Sequence, residues 1–185
     1  NTFGNINIKD EDNQSLLHIF VDEKYDEQKC FLVIKTLLEM GLSPNSEDDF
    51  KYNFIQTALY AGYSENFILN IVKEAFKYNL YVNHQDSDKD TVIHTAIYSD
   101  DYLGKVDELL KIYISHGFDI DSICKEGRNI IEAMKFQYDK YKEDDVKRLK
   151  AIYDARKKVV KERNKEIYNT PKEKFLRISD NKKNN

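Results

Sequence analysis

Apolar residues recur along the chain in helical stripes of two lengths, long and short, separated by polar runs. In 29–41, Phe31, Ile34, Leu37 and Leu38 fall on one face at helical spacing; Ile68, Ile71, Val72, Ala75 and Phe76 do so in 66–79, and Val106, Leu109, Leu110, Tyr113 and Ile114 in 105–117. Gly41, Asn79 and Gly117 close these stretches with residues suited to the left-handed conformation that ends a helix. The short stripes are SLLHIF (15–20), NFIQTA (53–58), TVIHTA (91–96) and NIIEAM (129–134). Each opens on Ser15, Asn53, Thr91 or Asn129, whose side-chain oxygen suits an orphan amide of a first helical turn. Three residues on stand His18, Gln56, His94 and Glu132. NFIQ and NIIE therefore read as capping boxes, and the two histidines are expected to make a similar bond as neutral donors. The polar segments 8–14, 46–52, 84–90 and 122–128 read as turns. With only two Pro and six Gly, the chain is expected to be all-α.

These landmarks keep one 38-residue register. It separates the starts of successive short stripes, the chain reversals at Asn7, Asn45, Asn83 and Asp121, and the helix ends at Gly41, Asn79 and Gly117. Such a register defines four turn-helix-helix units, about 7–44, 45–82, 83–120 and 121–158. Beyond them, 159–185 reads as a basic helix extension and disordered tail. In the last unit Ala155 stands where units one and three have Gly, so the final helix is expected to run on through 143–169, with Val146, Leu149, Ile152, Tyr153 and one of Val159 or Val160 closing the core.

A turn followed by two helices, with a polar cap opening a T-P-L-H-x-A-like segment, resembles the ankyrin repeat over about residues 7–158. The third unit carries the resemblance best: VNHQDSDKDTVIHTA parallels the family's V-N-x-x-D-x-x-G-x-T-P-L-H-x-A, with Val92 for Pro and Lys89 for Gly. What the resemblance implies is a solenoid of stacked units, each somewhat longer here than the family's usual repeat. The added residues fall between the first helix and the end of the second, which lengthens the connections VDEKYDEQK, YAGYSEN and YSDDYLGK. Only the last turn keeps the family's glycine, as Gly127. Lys51 and Lys89 suit a positive φ poorly, and their turns are expected to be reshaped. TPR and HEAT arrays are the competing helical-pair solenoids; the chain has no Trp and no W-x-x-L-G-x-x-Y, and a HEAT unit has little use for the long polar reversals.

Charge divides the chain unevenly. Residues 147–185 hold 14 Lys+Arg against 5 Asp+Glu, whereas the preceding residues hold 15 against 28, an acidic body with a basic end. A solvated capping helix is the expected role of that end, with RNA or an anionic membrane as the alternative contact. No run approaches 18 apolar residues, so no membrane span is expected. The start lacks Met and a signal-peptide pattern, which suggests a trimmed or partial chain. Cys30 and Cys124, in apolar contexts without paired spacing, read as buried free thiols of a reducing compartment.

Candidate chemistry is sparse. Phosphate-loop, zincin and nucleophile-elbow motifs are missing, so no catalytic residue, cofactor or enzyme activity is assigned. His18 and His94 stand two units apart, on the order of 20 Å in stacked helices, too far to share a metal. His84 has no recognised ligand motif. DSDKD (86–90) departs from a calcium loop at Lys89 and reads as a solvated turn, so no metal site is expected.

Binding remains. The ankyrin resemblance implies an extended concave surface of turn tips and first helices, and the positions singled out on it are Asp49, Phe50, Tyr52, Tyr60, Asp88, Asp90, Tyr98 and Arg128. An aromatic strip in an acidic surround suits a protein partner with a basic, partly apolar surface, and no nucleic acid is expected to bind the array itself. Intramolecular packing of the same aromatics is the alternative. The chain is thus expected to be a monomeric interaction module, a class that includes effectors and immunity-type inhibitors, cytoplasmic or delivered into a host cytosol. The alternative is a non-catalytic targeting domain of a larger enzyme.

Overall fold

The computed structural model describes residues 6–99, 105–137 and 141–169, with side chains through 163. Among them are eight helices and no strand: α1 (Leu16–Asp22), α2 (Glu27–Glu39), α3 (Phe54–Tyr60), α4 (Glu65–Phe76), α5 (Val92–Tyr98), α6 (Val106–Ser115), α7 (Ile130–Phe136) and α8 (Glu143–Asn169). The short helices α1, α3, α5 and α7 each pack on the next of their kind, as do the long helices α2, α4, α6 and α8, and every short helix packs on the long one that follows it. The result is two rows of helices with the core between them. Leu17, Ile34, Ile55, Ile68, Ile93, Leu110 and Ile130 are among its fully buried members. One register position shows how the rows close up. Ala58 and Ala96 occupy it in the inner units and are wholly buried, whereas Phe20 and Met134 fill it at the two ends.

Seven-residue helices are too short to persist alone, so caps and neighbours must hold them. The Asn53 side chain accepts from the Ile55 and Gln56 amides at 3.0 and 3.1 Å, and that of Asn129 from the Ile131 and Glu132 amides at 3.0 and 3.1 Å. Gln56 and Glu132 return the bond, completing the expected capping boxes. The histidines use the opposite chemistry from the donor role expected of them. Nδ1 of His18 accepts from the Ser15 amide at 3.2 Å and Nδ1 of His94 from the Thr91 amide at 3.4 Å, because the N-cap group that must be satisfied is itself a donor. Their Nε2 atoms then donate across to the next unit, His18 to the Tyr52 carbonyl at 2.9 Å and His94 to the Arg128 carbonyl at 3.2 Å; Gln56 reaches the Asp90 carbonyl at 3.3 Å in the same way. Both rings are therefore neutral scaffold groups. Burial lowers the His18 pKa and pushes that of His94 down to about 4.

The reversals repeat with equal regularity. Asn7, Asn45 and Asn83 accept from the amides of Ser43, Tyr81 and Asp119 at 3.1, 2.6 and 2.8 Å. In the fourth unit, Asp121 instead takes the Tyr153 hydroxyl at 2.7 Å and the Lys157 ammonium at 2.8 Å. Lys157 is the register counterpart of Asp119, but α8 is still helical there and its backbone amide is committed, so a side-chain donor serves in its place. Leu149 is buried, and Val146, Ile152 and Tyr153 pack against the core as expected. Val159 and Val160 do not join it, being 53% and 40% exposed; Val159 instead lines a shallow surface pocket with Ile114 of α6 and Ile152. No helix of the described residues is long and apolar enough to cross a membrane. The tail 170–185 and most of the YSDDYLGK connection lie outside the described residues.

Reshaped turns at Lys51 and Lys89 do not occur. Both adopt the left-handed conformation, with φ of 61° and 59°, alongside Asn13 at 58° and Gly127 at 75°. The tip bonds described below hold the loop against the local preference. That strain can be relieved: Lys89→Gly is expected to stabilise the fold by about 0.5–1 kcal/mol in a denaturant titration, the left-handed penalty of about 1–2 kcal/mol less the greater unfolded-state freedom of glycine.

Candidate functional site

Three aspartates, equivalent in the repeat register, build the turn tips. The carboxylate of Asp10 accepts from the Asp12 and Gln14 amides at 3.1 and 2.8 Å, that of Asp48 from Phe50 and Tyr52 at 2.9 and 2.8 Å, and that of Asp86 from Asp88 and Asp90, both at 2.9 Å. Asp86 also takes a bond from Gln56 Nε2 at 2.9 Å and is only 5% exposed, so DSDKD is not the freely solvated turn expected from its composition. Cys124 holds the fourth position, and its thiol donates to Glu126 at 3.2 Å. Neighbouring tips are tied by backbone bonds, Asp49 N to Asp12 O at 3.3 Å, Ser87 N to Phe50 O at 3.0 Å and Lys125 N to Asp88 O at 2.8 Å. The tips thus form a fixed edge beside the short helices.

Two of the residues singled out from sequence serve that edge. The Asp49 carboxylate accepts from the Asn13 side chain, and Asp88 pairs with Lys125 at 2.8 Å. The second pair is exposed on both sides and adds little stability.

Phe50, Tyr52 and Tyr60 come together. Their rings form a chain from tip to helix, with Phe50 stacked on Tyr52 at 5.8 Å between centroids and Tyr52 tilted against Tyr60 at 5.2 Å. The two tyrosine hydroxyls stand close enough to influence each other's ionisation. Phe50 and Tyr60 remain 65% and 52% exposed. The rings line a surface groove together with Gln14, Asp22 and Asp48. Burial raises the pKa of both tyrosine hydroxyls, which stay neutral; the neighbouring Tyr52 adds to the effect at Tyr60, and nearby carboxylates add to it at both.

Asp90, Tyr98 and Arg128 make the adjoining cluster. Arg128 lies with its guanidinium 3.9 Å over the Phe136 ring, approaches Glu126 at 3.8 Å and stands near enough to the Tyr98 hydroxyl to act on its ionisation. Tyr98 also meets Cys124 Sγ at 3.8 Å and packs partly into the core, so it is less available to a partner than Tyr60. Asp90 is the outlier. Its Oδ1 atom is buried with no hydrogen-bond partner, and its charge acts on both Tyr60 and Tyr98. Burial, reinforced by Asp86, Glu126 and Asp88, raises its pKa to about 7.

His84 belongs to the scaffold: Nε2 donates to the Lys51 carbonyl at 2.7 Å, and Nδ1 lies 3.5 Å from Glu47. Among the described residues no three His, Cys, Asp or Glu side chains are grouped to hold a metal ion. Sequence reasoning missed the structural role of Asp10, Asp48 and Asp86, although their regular spacing is plain, and it missed the Arg128–Phe136 contact. A scan against models of known protein families and a search of curated proteins both found no match to the chain.

Proposed function

We propose that the chain is a protein-interaction module of the ankyrin-repeat type, a solenoid of four turn-helix-helix units that binds a basic, partly apolar protein surface through its tips and short helices. The recurrence of caps, tip aspartates and left-handed residues at one interval supports the repeat reading, since each unit then makes the same bonds to its neighbour. The single observation that carries the binding role is the open ring chain: Phe50 and Tyr60 stay largely exposed at either end of Tyr52 and line a surface groove beside carboxylates, an aromatic surface suited to a basic, partly apolar partner. Charged rim residues such as Asp88 are already paired within the array and contribute register rather than affinity.

Tyr60 is the anchor of this surface. Replacing Tyr60 with Ala is expected to weaken capture of the partner by about 30-fold, the loss typical of an aromatic hot spot, while the melting temperature moves little because the ring is half exposed. Partners are to be identified by affinity purification with mass spectrometry and then titrated against wild type and variant by calorimetry. An identified partner that binds both proteins equally would remove this face from the interface.

A further inference from the structure

We propose that the groove walled by Asp22, Tyr52 and Tyr60 receives the guanidinium of an arginine carried on an extended segment of the partner, an assignment that rests on the protein-binding reading above. The array contains its own precedent. Positions 14, 52, 90 and 128 are equivalent by the repeat register, as are 22, 60, 98 and 136. At the last pair, Arg128 places its guanidinium 3.9 Å over the Phe136 ring, beside the Tyr98 hydroxyl and 3.8 Å from Glu126, which is a guanidinium set among an aromatic face, a hydroxyl and a carboxylate. One unit earlier in the register, Tyr98 stands beside the unpartnered Asp90. Two units earlier, Tyr60 stands beside Tyr52, with Phe50 extending the aromatic surface.

The ingredients that hold Arg128 therefore recur in the groove without a cation. Asp22 and Asp48 supply carboxylates at its wall, and among the described residues no ion pair reaches Asp22, Asp48 or Asp90. The carboxylates whose fields reach the two tyrosine hydroxyls include Asp48, Asp86, Asp88 and Asp90, so the potential over the rings is negative. At 5.2 Å between centroids, Tyr52 and Tyr60 leave no gap for a group to slide between them. A cation must lie over the rings, as Arg128 does over Phe136.

Arginine fits this geometry better than lysine. Its planar, weakly hydrated guanidinium stacks on an aromatic face while its edge donates to a carboxylate or hydroxyl, whereas an ammonium keeps its water shell and has no plane to stack. The groove takes its lining from the turn tips and from the short helices α1 and α3, and an extended segment is the form in which a chain lays one side chain across such a surface.

The test is an NMR titration of the full chain, with its tyrosine rings labelled, using three capped peptides of glycine and serine around one central arginine, lysine or citrulline. Saturable shifts at Tyr52 and Tyr60 are expected with the arginine peptide, binding weaker by about fivefold with lysine, and none with citrulline, which keeps the shape and loses the charge. Tyr60→Ala and Asp22→Asn should each reduce the arginine response, with circular dichroism reporting an intact fold. Equal binding of lysine and arginine would overturn guanidinium recognition and leave the acidic-face reading standing. Absence of ring shifts with every peptide would overturn the groove as a cation site, and capture of the partner by wild type but not by Tyr60→Ala would still support the surface. Ring shifts that follow protein concentration alone would place a second copy in the groove and overturn the partner assignment.

Discussion

Between pH 7 and pH 4, an Asp90→Asn variant is expected to lose folding stability far more steeply than wild type, by about 3 kcal/mol through His94 alone. His94 has a folded pKa of about 4 against an unfolded value near 6.5. Its neutral ring, accepting at Nδ1 and donating at Nε2, is satisfied only in the unprotonated state. The stability it contributes is complete above pH 6.5 and is lost as pH falls toward 4. Asp90 runs the other way. Its pKa of about 7 lies above the model-peptide value, so the cost of its buried charge is complete above pH 7 and relieved as acidification protonates it. In wild type the two groups oppose one another over the same window. Removing the Asp90 titration exposes the histidine, and His94→Gln should do the reverse, yielding a protein that gains stability on acidification, because Gln56 shows that an amide makes the same two contacts. His18 acts in the same sense as His94 in every variant. Denaturant midpoints at pH 7, 5.5 and 4 for the three proteins check the argument; parallel pH profiles would refute the opposed roles.

The same Asp90→Asn substitution is expected to separate stability from binding at neutral pH. With a neutral amide in place of the buried carboxylate the fold should gain about 1–2 kcal/mol, because the amide carries no charge to be desolvated or repelled by Asp86, Glu126 and Asp88. Affinity for a basic partner should fall by roughly tenfold or more, since the group that an incoming cation would neutralise is gone. A residue retained only for packing would move both quantities together. Opposite signs in thermal melts and in partner titration are the expected outcome, and a variant that is stabilised yet binds as tightly as wild type would show that Asp90 lies outside the interface.

The contrast between Tyr60 and Tyr98 illustrates how far sequence can reach into the site. Both occupy one register position, and both read as equivalent surface aromatics. In the structure Tyr60 joins Phe50 and Tyr52 in an open strip, whereas Tyr98 is drawn inward by Arg128 and Cys124. The difference comes from what the following unit carries at the register positions of Asp90 and Asp86, namely Arg128 and Cys124. Asp86 is a second case. Composition suggested a solvated turn, but Gln56 of the preceding unit covers it.

Sequence alone was enough for what depends on neighbours within a few residues. The all-helical character, the short helices opened by Ser15, Asn53, Thr91 and Asn129, and the left-handed ends at Gly41, Asn79 and Gly117 are local, since a cap or a positive φ is set by the residue and the turn around it. The tertiary structure decided what depends on the distance between successive units. It turned His94 from an expected donor into an acceptor whose other nitrogen holds the Arg128 carbonyl, kept Lys51 and Lys89 left-handed, and left Asp90 buried without a partner. Those outcomes join atoms far apart in the chain or depend on which groups a stacked neighbour shields from water, and no short stretch of the chain encodes that separation.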